Sequence, residues 1–189
     1  MCPVDVKDTY KTLNVDTKED ITGEEWYSSV VKVNGKWEYR VEGKYTLELS
    51  EDYKTVLKID LTDNYEGDVI IPEGIVEIKY KAFSTNITNL ILPQTISKIG
   101  HIKSSLKKKL SFNMSTIQSK TQSVGDTGTV STFTKPEVTN LIIKSNYRHP
   151  VDVFAFFTVK NVYVVPNNLY YYTKHKPLGS GTQYNNLYS

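Results

Sequence analysis

The sequence predicts a mainly β fold: a short β-solenoid of about five rungs, closed at its N-terminal end by an antiparallel β-hairpin cap. Three observations predict it. Val69-Ile70-Ile71-Pro72 is followed 21 residues later by Leu90-Ile91-Leu92-Pro93, and Ile75 and Ile78 map onto Ile96 and Ile99 at the same offset. Leu141-Ile142-Ile143 maps onto Val162-Tyr163-Val164, again 21 residues on, while Thr88-Asn89-Leu90-Ile91 recurs as Thr139-Asn140-Leu141-Ile142. Upstream of the repeats, Val31-Lys32-Val33-Asn34-Gly35-Lys36-Trp37-Glu38-Tyr39 sets an Asn-Gly turn between alternating segments. A fixed period of about 20–30 residues, each with one short β-branched strand, marks stacked coils that shield one another's apolar edges.

The elements follow in order. Residues 1–25 read as an extended arm with scattered polar residues, either lying on a neighbour or left as a loose terminus. Residues 26–66 form the antiparallel cap. Its Asn34-Gly35 pair tolerates positive φ and so fits a hairpin turn. Tyr45 to Leu49 alternates, and Ser50 to Tyr53 is a turn. In the next strand Val56, Lys58 and Asp60 fall on one face and Leu57, Ile59 and Leu61 on the other, which is expected to be buried. A cap is needed because a bare rung exposes apolar side chains and unpaired strand edges.

Residues 67–189 form the solenoid. Each unit has three apolar residues, then a Pro that ends the strand because it has no N–H to donate. Ile75/Ile78 and Ile96/Ile99 are spaced for a second short strand or a single helical turn facing inward. Tyr80-Lys81-Ala82-Phe83 supplies an aromatic plug. A third rung is expected at Leu110-Ser111-Phe112. Residues 115–136 break the pattern with Ser, Thr, Gly and Gln and read as a loop inserted into one rung. Two more rungs run over Leu141–Phe157 and Val162–Pro166. Leu169 to Lys174 fits a short helical turn, and Tyr184 to Tyr188 is expected to tuck back as a C-terminal cap.

These pieces resemble the BspA-like type of leucine-rich repeat. Its unit is similar to Val69-Ile70-Ile71-Pro72, Ile75-Val76-Glu77-Ile78 and Ala82-Phe83, and to Leu90-Ile91-Leu92-Pro93 with Ile96 and Ile99. The closing unit is similar to Leu141-Ile142-Ile143-Lys144, Pro150, Ala155-Phe156, Val162-Tyr163-Val164-Val165-Pro166, Leu169 and Tyr172. Val165 is an extra residue before the Pro. The resemblance covers residues 67–100 and 138–189 and implies a leucine-rich-repeat-like binding scaffold with no catalytic residues. The family occurs in bacterial surface adhesins, protozoan surface proteins and proteins of phages.

Composition narrows the partners. A formal charge of +2 over 189 residues argues against a dedicated nucleic-acid-binding protein. No run of about 18 apolar residues is present, so no membrane span is expected. The single cysteine, Cys2, excludes an intrachain disulfide and reads as an exposed thiol. Residues 1–20 lack the apolar segment of an export signal. Taken with the resemblance, whose family includes phage proteins, this absence implies a chain made in a host cytoplasm and carried in a virion. The 14 Tyr serve either as surface contacts or as half-buried strand residues.

Motifs for chemistry are sparse. His101, His149 and His175 lie far apart in sequence and lack zinc spacing. Asp60, Asp63, Asn64, Glu66 and Asp68 gather oxygens, but not at the spacing of an EF-hand, and read as a solvated turn. Gly125 to Thr129 lacks the Gly-Lys-Ser/Thr ending of a phosphate-binding loop. Asn86-Ile87-Thr88 and Asn113-Met114-Ser115 fit the glycosylation sequon. Lys103, Lys107, Lys108 and Lys109 form a basic cluster that either meets an acidic partner or solubilises an edge. The expected function is non-enzymatic: a small accessory component of a phage particle that binds other virion proteins. The alternative is a surface adhesin or carbohydrate-binding module. No cofactor and no metal is expected. The partners are other proteins of a larger assembly, a second copy of the chain or a surface glycan, and neither nucleic acid nor membrane. The candidate contact residues are Tyr170, Tyr171 and Tyr172, with Lys107, Lys108 and Lys109.

Overall fold

A computed structural model of the protein describes residues 26–102, 135–153 and 156–188. The first residues, Trp26–Ser29, make one 3-10 turn. An antiparallel run follows: β1 (Val30–Val33), β2 (Lys36–Val41), β3 (Tyr45–Leu49) and β4 (Thr55–Leu61). Asn34 and Gly35 take φ of 51° and 81°, the doubly left-handed conformation that lets a two-residue turn follow the twist of its strands. Val33 pairs with Lys36 across it.

The coils come next. Their strands are β5 (Asp68–Ile70), β6 (Glu77–Ile78), β7 (Ile87–Leu92), β8 (Lys98–Ile99), β9 (Glu137–Ile143), β10 (Thr158–Val164) and β11 (Gln183–Asn186). Among the described residues these build two sheets. One has the order β1-β2-β3-β4-β6-β8 and the other β11-β10-β9-β7-β5, so the second sheet has a strand for each of five turns. The coil strands pair in parallel, as successive turns of a solenoid must. The cap joins the coil through β4, which pairs in parallel with β6 at Val56↔Ile78.

The 21-residue period is visible in the register. Val69 stands beside Leu90, Leu90 beside Leu141, and Leu141 beside Val162. The middle step is 51 residues, 30 more than one period. Direct pairing of β7 with β9 means that Leu90–Leu92 has Leu141–Ile143 as its next rung. The rung expected at Leu110-Ser111-Phe112 lies outside the described residues, as do the arm at 1–25 and most of the insertion. Lys135 and Pro136, assigned to that insertion, lead into β9, and the Pro136 carbonyl accepts from the Thr158 N–H.

The core lies between the two sheets. Val69, Leu90, Leu141 and Val162 point into it from one sheet, and Ile78, Ile99, Leu47 and Ile59 from the other, all at 0% exposure. Each such side chain contributes about 2 kcal/mol through area removed from water. Ile75/Ile78 and Ile96/Ile99 end in the short strands β6 and β8, not in helical turns. Pro72 and Pro93 each open the same turn, with their carbonyls accepting from Ile75 and Ile96 at 3.3 Å. Tyr80–Ala82 is a 3-10 turn that buries Ala82, and Phe83 stacks on Phe157 at 4.1 Å.

The expected faces of β4 are corrected. Val56 and Ile59 are both fully buried, while Leu57 is half-buried. The register explains it: Glu48 pairs with Lys58 but Leu49 pairs with Val56, so Leu57 is the extra residue of a β-bulge. A bulge breaks the two-residue alternation, so Val56 and Ile59, three residues apart, both face inward.

The cap also covers the open edge of β5. The Tyr45 hydroxyl donates to the Ile70 carbonyl and accepts from the Ile70 N–H, each at 3.1 Å. One side chain thus takes both backbone groups that a preceding rung would have taken. Trp26, 1% exposed, donates from its indole to the Glu73 carbonyl at 3.0 Å.

At the other end, Pro166–His175 forms helix α1 rather than a single turn. Pro166 sits in its first turn, where a missing N–H costs nothing. Lys176 closes it in the left-handed conformation, its N–H bonded to the Tyr172 carbonyl. Of the C-terminal cap expected over Tyr184 to Tyr188, the residues up to Asn186 belong to β11, which pairs with β10 as the last strand of the second sheet. No helix among the described residues is long and apolar enough to cross a membrane.

Candidate functional site

Helix α1 and the loop after β9 build the surface with the most pronounced chemistry. Residues four apart share a helix face. Tyr170 therefore stands beside Lys174, whose Nζ lies 5.5 Å from the ring centre. Tyr171 stands beside His175, ring to ring at 4.9 Å. Arg148 comes in from the loop with its guanidinium 5.2 Å from the Tyr171 ring. Its Nε donates to Asn168 Oδ1 at 2.9 Å, which fixes the fork against the helix. Tyr170 is 72% exposed. The result is two aromatic rings with cations over their faces, on a rigid ten-residue helix.

The floor beneath them is a closed polar network. The Tyr172 hydroxyl donates to the Tyr147 carbonyl at 2.7 Å and accepts from the His149 N–H at 3.0 Å. The Tyr171 hydroxyl donates to the His149 carbonyl at 2.6 Å. Burial pushes the Tyr172 and Tyr147 hydroxyls well above the usual tyrosine range, so they stay neutral donors. His149 is fully buried, with Nδ1 2.8 Å from the Tyr147 hydroxyl and Nε2 without a hydrogen-bond partner. Its pKa falls to about 4, because burial penalises the charged ring and His101 beside it adds repulsion.

The predicted site residues are thus divided. Tyr170 faces solvent and Tyr171 is half-buried. Tyr172 is corrected: at 0% exposure it is a core residue that ties the helix to the loop, not a contact residue. Lys107, Lys108 and Lys109 lie outside the described residues. Sequence reading missed Arg148, Lys174 and His175, although the four-residue spacing from Tyr170 and Tyr171 was the available signal. It also kept the histidines apart, whereas the His101 and His149 rings meet at 5.7 Å.

No protein-family model, no characterised protein and no solved structure matches this chain. Function therefore has to be read from the geometry. Among the described residues no three His, Cys, Asp or Glu side chains gather to hold a metal. Of the acidic run, Asp60 meets Lys58 at 3.5 Å and Asp68 accepts from Asn89 at 2.9 Å. An open hollow of about 390 Å³ borders Asn64, Glu66, Asn86 and Thr88. A second, of about 450 Å³, borders Glu137, Lys160, Leu178 and Thr182. Neither contains the histidines or the tyrosine face.

Proposed function

We propose that the protein is a non-enzymatic interaction module that docks onto other proteins of a larger assembly through the α1 face. The observation that carries this reading is Tyr170. It is a large aromatic ring left 72% exposed, with Lys174 over it, on a helix locked by the buried Tyr172–Tyr147–His149 network. Tyr and Arg are among the residues that dominate protein–protein hot spots, and Arg148 lies over the ring of the adjacent Tyr171. The cations select a partner surface with carboxylates around an apolar recess.

The larger assembly in this reading is a virion, and the support is the resemblance of the repeats to a family with phage members. A sugar-binding reading would need exposed aromatics aligned on a sheet face. Among the described residues the outward row of the second sheet offers only Tyr163, at 1% exposure, so the protein-binding reading is preferred.

The test is co-sedimentation. Phage particles made with the full chain are banded on a density gradient, and the chain should run with them. Tyr170→Ser should lower its occupancy about tenfold, the size of a hot-spot loss. A chain that remains with free protein at the top of the gradient ends the virion reading. Equal occupancy of Tyr170→Ser and the natural chain ends the role of α1.

A further inference from the structure

The hollow where the cap meets the first coils has a volume of about 390 Å³, within the usual size of a small-molecule site, roughly 300–1,000 Å³. One wall is the turn that leaves β4. Asp63 and Asn64 take φ of 42° and 61°, and the Tyr65 N–H donates to the Thr62 carbonyl at 2.8 Å, so the chain reverses tightly and brings Asn64, Tyr65 and Glu66 to the hollow. The other wall is the approach to β7, with Thr85, Asn86 and Thr88. Tyr65 is held as a fixed platform. Its hydroxyl donates to the Asp68 carbonyl at 3.0 Å, and its ring lies 6.2 Å from that of Tyr45. Gly67 approaches it so closely that a Cβ there would overlap the Tyr65 ring and hydroxyl.

We infer that this hollow is a binding site for a small neutral saccharide. Its hydrogen-bonding capacity is unspent. Among the described residues the side chains of Asn64, Glu66, Thr85 and Thr88 have no hydrogen-bond or ion-pair partner. The Asn86 Oδ1 accepts from the Glu137 N–H at 2.8 Å, which leaves Nδ2 to donate. Amides and hydroxyls give and take, and a carboxylate can accept from two adjacent hydroxyls. A polyol, whose hydroxyls also give and take, matches that set. Other ligand classes fit less well. Among the described residues no Lys, Arg or His lines the hollow, and Glu66 would repel a phosphate or a carboxylate. Leu61 is the one aliphatic side chain in the lining, so an apolar ligand would strand the polar groups around it. The Tyr65 ring offers an apolar face to the C–H side of a sugar ring. Because that ring is already pinned, binding loses little freedom in ordering it. The hollow is separate from the α1 face, so the site does not depend on docking there.

The test is saturation-transfer NMR on the full chain, with the methyl glycosides of glucose, galactose, mannose and N-acetylglucosamine as probes. At least one should receive magnetisation from the protein. Tyr65→Ser should abolish the transfer. Glu66→Ala/Thr85→Ala leaves the core and the platform in place and should weaken the bound sugar about tenfold, the size of one lost hydrogen bond to a charged group. Tyr170→Ser should leave sugar binding unchanged, which separates this site from the α1 reading. Should Tyr65→Ser unfold, Glu66→Ala/Thr85→Ala decides. Silence from all four probes overturns the inference. So does transfer that Glu66→Ala/Thr85→Ala leaves intact, which would put the sugar elsewhere on the molecule. Adenosine or uridine binding more tightly than every sugar also overturns it, because the Tyr65 ring would then be a platform for a flat base.

Discussion

Asn140 donates from Nδ2 to Oδ1 of Asn89 at 2.8 Å, although 51 residues separate them in the chain. The bond is one link of a ladder across the second sheet. Asn161 donates to Asn140 at 3.2 Å, and Asn89 donates to Asp68 at 2.9 Å. Asn89 and Asn140 each give one bond and take one, as stacked amides in parallel in-register strands do, and Asn161 gives one at the start of the series. Asp68 ends the series because a carboxylate only accepts and needs no further neighbour. Burial raises the pKa of its carboxyl, and the bond from Asn89 works against that rise.

Asn140→Ala removes two links and strands Oδ1 of Asn89 and Nδ2 of Asn161 in a site where Asn140 is 4% exposed. Unfolding in urea should show a loss of about 2 kcal/mol, the usual penalty for orphaned buried polar groups. A loss below about 0.5 kcal/mol, the low end for a single hydrogen bond, would mean that water replaces the ladder.

Lys144 takes the place that Pro72 and Pro93 hold in earlier coils, and its side chain, 4% exposed, runs back across a rung to Glu73 at 3.3 Å. Gln94 lies between: its Nε2 donates to the Lys144 carbonyl at 3.1 Å, and its backbone N–H donates to the Glu73 carboxylate at 3.0 Å. Glu73→Gln leaves a buried ammonium without its counter-charge and should cost about 3 kcal/mol. Glu73→Gln/Lys144→Met should regain most of that loss, because the pair is then gone together. Denaturant midpoints of the single and double variants test it; a double variant no better than the single one would place the cost elsewhere.

The bulge at Leu57 reverses the sequence expectation for β4. Val56→Ala should lose about 2 kcal/mol through the cavity it opens. Leu57→Ala, at a half-buried site, should lose under about 1 kcal/mol despite the larger deletion. Thermal melts of the two variants that came out in the opposite order would restore the simple alternation.

The coils were legible because their signal repeats. Val69 and Leu90, and again Leu141 and Val162, stand 21 residues apart, a period that stacked coils explain. The ladder was half legible: the recurrence of Thr-Asn-Leu-Ile was noticed, but Asp68 and Asn161 complete it only when register is known. The bulge was invisible, since Val56-Leu57-Lys58-Ile59 carries no residue that demands one. The site was misread at Tyr172 because three consecutive tyrosines on a helix point in three directions, and only the packing of α1 says which is inward. Arg148 and Asn168 lie 20 residues apart, so no local pattern could join them.

His149 makes the stability of the α1 face depend on pH. Its ring faces the Tyr147 hydroxyl, the Tyr172 hydroxyl bonded to the His149 backbone N–H, and the His101 ring, and among the described residues no carboxylate pairs with it. The folded pKa is about 4 against an ordinary 6.5. Between those values the unfolded chain binds a proton that the native ring refuses, so unfolding is favoured as pH falls through this window. The contribution is complete above about pH 6.5, is lost towards pH 4, and amounts to about 3 kcal/mol at 1.36 kcal/mol per unit. His101, half-buried and also lowered chiefly by burial, adds in the same direction. Asp68, with a raised carboxyl, opposes it just above its ordinary 3.8. His149→Gln keeps an acceptor for Tyr147 and does not titrate, so it should flatten the slope between pH 6.5 and 4 whatever its own stability at pH 7. Urea unfolding at four pH values on both proteins measures the two slopes. Parallel slopes would show that His149 is not the group that titrates, and the acid sensitivity of the fold would then belong to His101 and the carboxylates.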